Sequence, residues 1–205
     1  SDKFLGMILR DKGATHLAVY ATAHWLGPAL LRANFERFEW IVTLERHSRP
    51  RGAAGDALPG LVTIRPVGPD DLSRLAALDH AVFAPPFQLA SGELIELMVT
   101  CGYFALAQLA DDQLAADLGW RLAGYACADV LGDEGQIIRL AVHPEARRQG
   151  IGSALLNSAL AYCHANQASL VVINTQESNA ASLKLYEEFG FRRLGRRVTL
   201  LARRL

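Results

Sequence analysis

The run from Gln136 to Gln167, QIIRLAVHPEARRQGIGSALLNSALAYCHANQ, constrains this chain more than any other stretch because it commits three successive elements. Ile137 to Val142 alternates as a strand entering a core. His143-Pro144 ends it, since proline lacks the N–H that a ladder needs and biases its predecessor away from helix. A basic, glycine-spaced loop follows, Arg147-Arg148-Gln149-Gly150-Ile151-Gly152. From Ser153 to Asn166 helical spacing takes over, with Ile151, Leu155, Leu156, Ala159, Leu160 and Cys163 on one face. Strand, glycine loop and helix together make an anion-binding arrangement. Amides at a helix start have no intrahelical acceptor and carry a partial positive charge. Glycine lets the backbone approach an anion closely, and two arginines add full charges.

Two common phosphate loops are excluded. No Gly-Lys-Ser/Thr closes a P-loop, and Ala154-Leu155 stand where a dinucleotide fingerprint needs its third glycine. Arg147 to Gly152 instead resembles motif A of the GNAT acetyltransferases, Arg/Gln-x-x-Gly-x-Gly/Ala, and Leu140 to Glu145 resembles that family's core strand and its exit. A second family motif lies at Asn179 to Phe191, NAASLKLYEEFGF. The resemblance covers residues 61–205. It implies an α/β (α+β) GNAT fold, a mixed twisted central sheet with helices on both faces.

It also implies acetyl-CoA as co-substrate and an amine acceptor. Acetyl-CoA would lie where the sheet splays between the strands at Ile137–Val142 and Ser169–Thr175. By this resemblance Leu140, Ala141 and Val142 pair with pantetheine, while Arg147, Arg148, Gln149, Gly150, Ile151, Gly152 and Ser153 hold the pyrophosphate. Asn179 and Ser182 help hold the CoA arm; helix capping is the other reading of Asn179. Tyr186 matches the family's general-acid tyrosine, against a reading as a packing residue beside Leu183 and Phe189. The Val142 N–H is the expected oxyanion donor. SLVVINTQESNAASLKLYEEFGF further resembles ribosomal-protein alanine N-acetyltransferases, which carry a glutamate where this chain has Asn174. An asparagine accepts no proton at neutral pH. Glu134 is the expected substitute base, with His143 and Glu177 as alternatives. The expected reaction is direct attack of a primary amine, on a peptide N-terminus or a small molecule, on the thioester. A CoA-binding sensor or scaffold without chemistry is the rival.

Composition limits partners. Lys and Arg number 21 against 21 Asp and Glu, which argues against a nucleic-acid or anionic-membrane surface. Half the residues are hydrophobic, enough for a sizeable core. Cys101, Cys127 and Cys163 lie far apart in apolar contexts, with neither metal spacing nor a disulfide pattern. No metal is expected, and a cytoplasmic protein is the default reading.

Along the chain, strands are expected at His16–Ala21, Phe38–Leu44, Leu61–Val67, Tyr103–Leu109, Trp120–Leu131, Ser169–Thr175 and from Phe191 to Arg203. Helices are expected from Gly27-Pro28, from Pro69 or Asp70, from a Ser91 cap, and from a Ser178-Asn179 cap to a left-handed stop at Gly190. HSRPRGAAGDALPG reads as a linker over 47–60, between an N-terminal strand–helix–strand segment, 1–46, and the domain 61–205. That segment repeats a later one. HLAVYATAHWLGPALLRANFERF (16–38) aligns without gaps on SLVVINTQESNAASLKLYEEFGF (169–191), with chance similarity as the other explanation. Read as a repeat, it is a degenerate GNAT half in which Ala33 replaces Tyr186, Leu26 replaces Asn179 and Arg37 replaces Gly190. Its apolar load requires docking, on a sheet edge of the same chain or, by exchange, in a homodimer.

Overall fold

A computed structural model describes residues 16–47, 62–110 and 121–204. The strands are β1 (His16–Ala21), β2 (Glu36–His47), β3 (Val62–Pro66), β4 (Tyr103–Leu109), β5 (Leu122–Leu131), β6 (Glu134–Val142), β7 (Leu170–Gln176) and β8 (Arg192–Arg204). The helices are α1 (Leu26–Arg32), α2 (Leu72–Val82), α3 (Ser91–Thr100), α4 (Ile151–Ala165) and α5 (Ala180–Glu188). The expected linker, beyond His47, and the polar connection before β5 lie outside the described residues. Among the described residues no helix is long and apolar enough to cross a membrane.

The described residues form two compact units, and their division differs from the expected 1–46 and 61–205. Asn174–Glu188 and the strand from Arg192 group with the N-terminal segment up to Leu44, whereas Glu45–Ile173 forms the other unit with Phe189–Phe191.

In the larger unit β3, β4, β5 and β6 form an antiparallel run, and β6 pairs in parallel with the start of β7. Helices cover both faces. Leu75, Leu78 and Leu94 from α2 and α3 pack with Leu106, Tyr125 and Ala141. Ile151 and Leu155 of α4 pack with Ala107, Ala123 and Ala126 on the other face. The entry to α2 is a single 3-10 turn, Pro69–Asp71, tied to β3 by two Arg65–Asp71 hydrogen bonds of 2.7 Å. That guanidinium holds the Asp71 carboxyl below the usual carboxylate range, with the Gly68 amide adding to the effect. One expected cap is corrected. Ser91 is already helical; Ala90 is the N-cap, and Glu93 Oε2 accepts its N–H at 2.7 Å.

In the smaller unit the strand order is β1-β8-β2-β7, with β1 antiparallel to β8 from His16↔Arg204 to Ala21↔Thr199. The N-terminal segment therefore does not dock on an edge as one piece. Its β2 is an interior strand, flanked by β8 and β7, and only β1 lies at the margin. Val42, Leu44, Leu183, Leu200 and Leu201 are buried in this unit. Arg203 caps the end of α1, donating to Ala33 O at 3.0 Å, with its guanidinium 5.0 Å from the Phe35 ring.

Candidate functional site

The site is built on β6. A β-bulge falls at the middle of this strand: Cys127 opposes Arg139 and Ala128 opposes Ile137, so Ile138 has no partner on β5. The ladder to β7 runs from Glu134↔Leu170 to Ile137↔Ile173 and stops at the same point, although β6 continues to Val142. Beyond the bulge the His143 N–H donates to Ala123 O at 2.8 Å, on the β5 side. Amides alternate sides along a strand, so the Leu140 and Val142 N–H groups point away from β5. Gly124 permits this close approach: a Cβ there would stand 2.6 Å from Ala141 O and 2.9 Å from Leu155 Cδ1.

After β6 the chain makes a 3-10 turn, Pro144–Ala146, in which His143 Nδ1 accepts the Glu145 N–H at 3.4 Å. Burial lowers the His143 pKa, so the imidazole is the neutral acceptor that this cap requires. The Ala146 side chain is buried and pins the loop, while Arg147, Arg148, Gln149 and Gly150 are exposed. Arg148 has φ 64° and Gly150 φ 78°, both left-handed. Nothing lies within 4 Å of a Cβ built on Gly150, so it is backbone conformation and not space that calls for glycine. Gly150 is the N-cap of α4 and makes no side-chain cap bond. The first intrahelical bond is Ala154 N to Gly150 O at 2.9 Å, which leaves the Ile151, Gly152 and Ser153 amides directed out of the helix start. The sequence-derived phosphate residues Arg147–Ser153 thus form one cationic turn at a helix N-terminus, exposed from Arg147 to Gly150 and with the Ile151 side chain buried.

A buried polar node in the same unit escaped the sequence reading. Asp79, in the apolar stripe of α2, is fully buried. Its carboxylate accepts from Arg139 Nη2 at 2.6 Å, from the Tyr125 hydroxyl and from the Leu89 N–H at 2.8 Å. Arg139 also donates to Phe87 O and lies 3.9 Å from the centre of the Phe83 ring. One ion pair therefore fixes the irregular stretch Phe83–Leu89. Its only sequence signal was a charge at a core position of a helix.

In the smaller unit α5 carries the second motif. Asn179 caps it, its Oδ1 accepting the Ser182 N–H at 3.1 Å, so Asn179 has the capping role. Gly190 has φ 83°, the left-handed stop expected of it. Tyr186 is 4% exposed, and burial pushes its phenol up to about 12 against the opposing effect of the Ser182 hydroxyl. Asn174 is exposed, and its Oδ1 accepts from Thr43 Oγ1 at 2.7 Å.

Glu134 is not brought to the loop. It opens β6, opposite Leu131 and Leu170, and Val142 closes the same strand. At ~3.3 Å per residue this separates them by roughly 25 Å, far beyond proton transfer directly or through one water. The placement removes the support for Glu134 as base; the sequence reading took its strand to begin at Ile137 and so missed its distance along β6. Glu177, the alternative, is paired with Arg197 Nη1 at 3.1 Å. Among the described residues no group of three or more His, Cys, Asp or Glu side chains could hold a metal ion.

Comparison with known proteins gives the family and the fold. The model of the acetyltransferase (GNAT) family matches residues 79–191, more than half the chain. The [ribosomal protein bS18]-alanine N-acetyltransferase of Escherichia coli K12 is 34% identical over 71 residues, 35% of this chain and 48% of that protein. The chain thus spans about half the length of the curated relatives it matches. Among solved structures, a tandem GNAT protein from the clavulanic acid biosynthesis pathway covers 98% of the chain and 67% of its own, with TM-score 0.61 at 16% identity. PaiA N-acetyltransferase of Thermoplasma acidophilum, in complex with coenzyme A, covers 70% of the chain and 99% of its own, with TM-score 0.56 at 15% identity. With its α/β fold, its glycine-arginine turn at the start of α4 and its capped tyrosine helix, the chain belongs to the GNAT acetyltransferase family.

Proposed function

We propose that this protein transfers the acetyl group of acetyl-CoA to the α-amine of a peptide N-terminus. The turn Arg147–Ser153, exposed over Arg147–Gly150, supports the cofactor assignment. Its outward amides, helix N-terminus and two guanidinium groups suit a pyrophosphate. The coenzyme A complex of PaiA and the name of the E. coli relative agree with it. Leu140 and Val142 supply strand-like amides for the pantetheine arm, and the Val142 N–H stabilises the thioester oxyanion. Tyr186, protonated across the neutral range, returns a proton to the departing thiolate.

Asn174 carries the choice of acceptor. With no carboxylate at that position, the amine's own ionisation has to provide the nucleophile. A peptide α-amine, of pKa ~8, is neutral to roughly one part in five at pH 7.4; an alkyl amine of pKa ~10.4 is neutral to only about one in a thousand. The α-amine is the acceptor that this site can use without a strong base.

The test is thiol release from acetyl-CoA with an alanine-initiated peptide and, separately, with a polyamine, from pH 6.5 to 9. The peptide should be acetylated, with a rate that climbs through pH 8. Rapid polyamine turnover at pH 7 would overturn the acceptor assignment. CoA binding with no turnover of either amine would favour a CoA-binding scaffold, the reading to which Asn174 otherwise points.

A further inference from the structure

The strand order of the smaller unit is its own mirror. Exchange the N-terminal strand–helix–strand (β1, α1, β2) with the C-terminal one (β7, α5, β8), and β1-β8-β2-β7 becomes the same sequence of positions read backwards. Each half sends its second strand across to lie next to the first strand of the other. This arrangement is independent of the residue-by-residue similarity of 16–38 and 169–191, and it makes the two segments structural equivalents. They are not chemical equivalents, because Ala33 aligns with Tyr186 and Leu26 with the Asn179 cap.

What the first half supplies is a set of contacts to the C-terminal part of β7 and to the turn that joins it to α5. Thr43 Oγ1 donates to Asn174 Oδ1 at 2.7 Å. The Glu177 N–H donates to Trp40 O at 2.8 Å. The Ser178 hydroxyl donates to Glu39 Oε2, and the other oxygen of that carboxylate accepts its own Trp40 N–H at 2.8 Å, which fixes its orientation. Arg197 of β8 lies 4.0 Å above the Trp40 ring and pairs with Glu177, so the indole and the turn share one guanidinium. The next residue after Ser178 is Asn179, whose side chain caps the helix that carries Ser182 and Tyr186.

We infer that Glu39 and Thr43 of the N-terminal half are positioning residues for the reaction: Thr43 holds the C-terminal part of β7 and Glu39 the turn that follows it, and together this clamp holds the Tyr186 phenol at its working place. The inference rests on the acid role given to Tyr186 above. The first half acts here as a partner subunit would, built into the same chain. It carries Ala33 where the other half carries Tyr186, and it presents the surface that steadies that tyrosine.

Glu39→Gln with Thr43→Val keeps the size of both side chains and weakens both contacts. Because a displacement of about 1 Å at a reacting group can cost up to ~100-fold, turnover with the alanine-initiated peptide should fall by roughly 10- to 100-fold. CoA affinity, carried mainly by the α4 loop, should stay within about threefold of the parent, a bound far inside that turnover loss. Glu39→Asp and Thr43→Ser, which retain the acceptor and the hydroxyl, should recover part of the rate. The decisive comparison adds Tyr186→Phe. If the clamp acts through the phenol, its loss costs little more once the phenol is gone; losses that multiply would show a general structural effect and overturn the inference. A slow Tyr186→Phe beside a fully active Glu39→Gln/Thr43→Val also overturns it. A fully active Tyr186→Phe instead removes the acid assignment. Amide hydrogen exchange reads the clamp without turnover: exchange from Glu177 to Tyr186 should accelerate in the double variant while α4 is unchanged, and unchanged exchange on α5 would refute the clamp.

Discussion

At the scale of residues, the turn proposed to take the pyrophosphate depends on backbone conformation before charge. Gly150→Asp puts a side chain at φ 78° and a carboxylate among the outward amides, and should abolish CoA binding in calorimetry. Arg148→Ala removes one exposed charge and should weaken CoA by about tenfold. Tyr186 supplies a pH test with a definite sign. Its pKa is raised to about 12, so the acid form persists through neutral and mildly alkaline solution. Tyr186→Phe should therefore lower turnover by about a hundredfold without altering the shape of the profile between pH 7 and 10. An inflection of the parent in that window that Tyr186→Phe abolishes would mean that the phenol titrates where burial says it does not. The turn and the tyrosine were both legible in the sequence because each belongs to a local motif with fixed spacing. Arg139 and Asp79 were not, since an ion pair between a helix and a strand has no local spacing to read. Glu134 was misread for a related reason: proximity in sequence to a functional strand says nothing about which end of it a side chain occupies.

Elements were legible in proportion to their periodicity. The helix α4 and the strand β7 fall within a residue or two of their expected bounds. β2 was expected to end at Leu44 but continues to His47, and β6 was expected from Ile137 but begins at Glu134; polar residues break the apolar pattern while the ladder carries on. The bulge at Ile138 left no mark on the sequence, because the extra residue is apolar and the run still reads as a strand. It is nonetheless what sets the backbone of Leu140 and Val142 after the ladder stops. Gly124 is the element-scale counterpart. Gly124→Ala forces a methyl against Ala141 O and Leu155, and should cost about 1–3 kcal/mol in chemical denaturation. Because the push falls on the strand end that leads into the loop, CoA affinity should drop with it; a variant as stable and as tight as the parent would show that the strand shifts freely.

For the whole molecule, the family and the α/β fold could be read from two motifs, whereas the partnership of the two ends of the chain could be read only as a faint repeat. Sequence similarity marked the N-terminal segment as a relative of residues 169–191 but gave no hint that β2 would enter between β7 and β8. Removing residues 16–47 would therefore extract an interior strand, and should yield an insoluble or unfolded product. A soluble truncation with unchanged melting temperature would contradict this. Cutting the chain between residues 48 and 60, within the expected linker, should leave the two fragments associated through gel filtration. The pairing of His16 with Arg204 also puts a clock on biogenesis. At ~5–20 residues per second, the ribosome needs on the order of 10–40 s between making the first of these strands and the last. Through that interval the N-terminal strand–helix–strand waits without the strand that fills the gap between β1 and β2, and a newly made chain is at its most dependent on chaperones just before synthesis of β8 is complete.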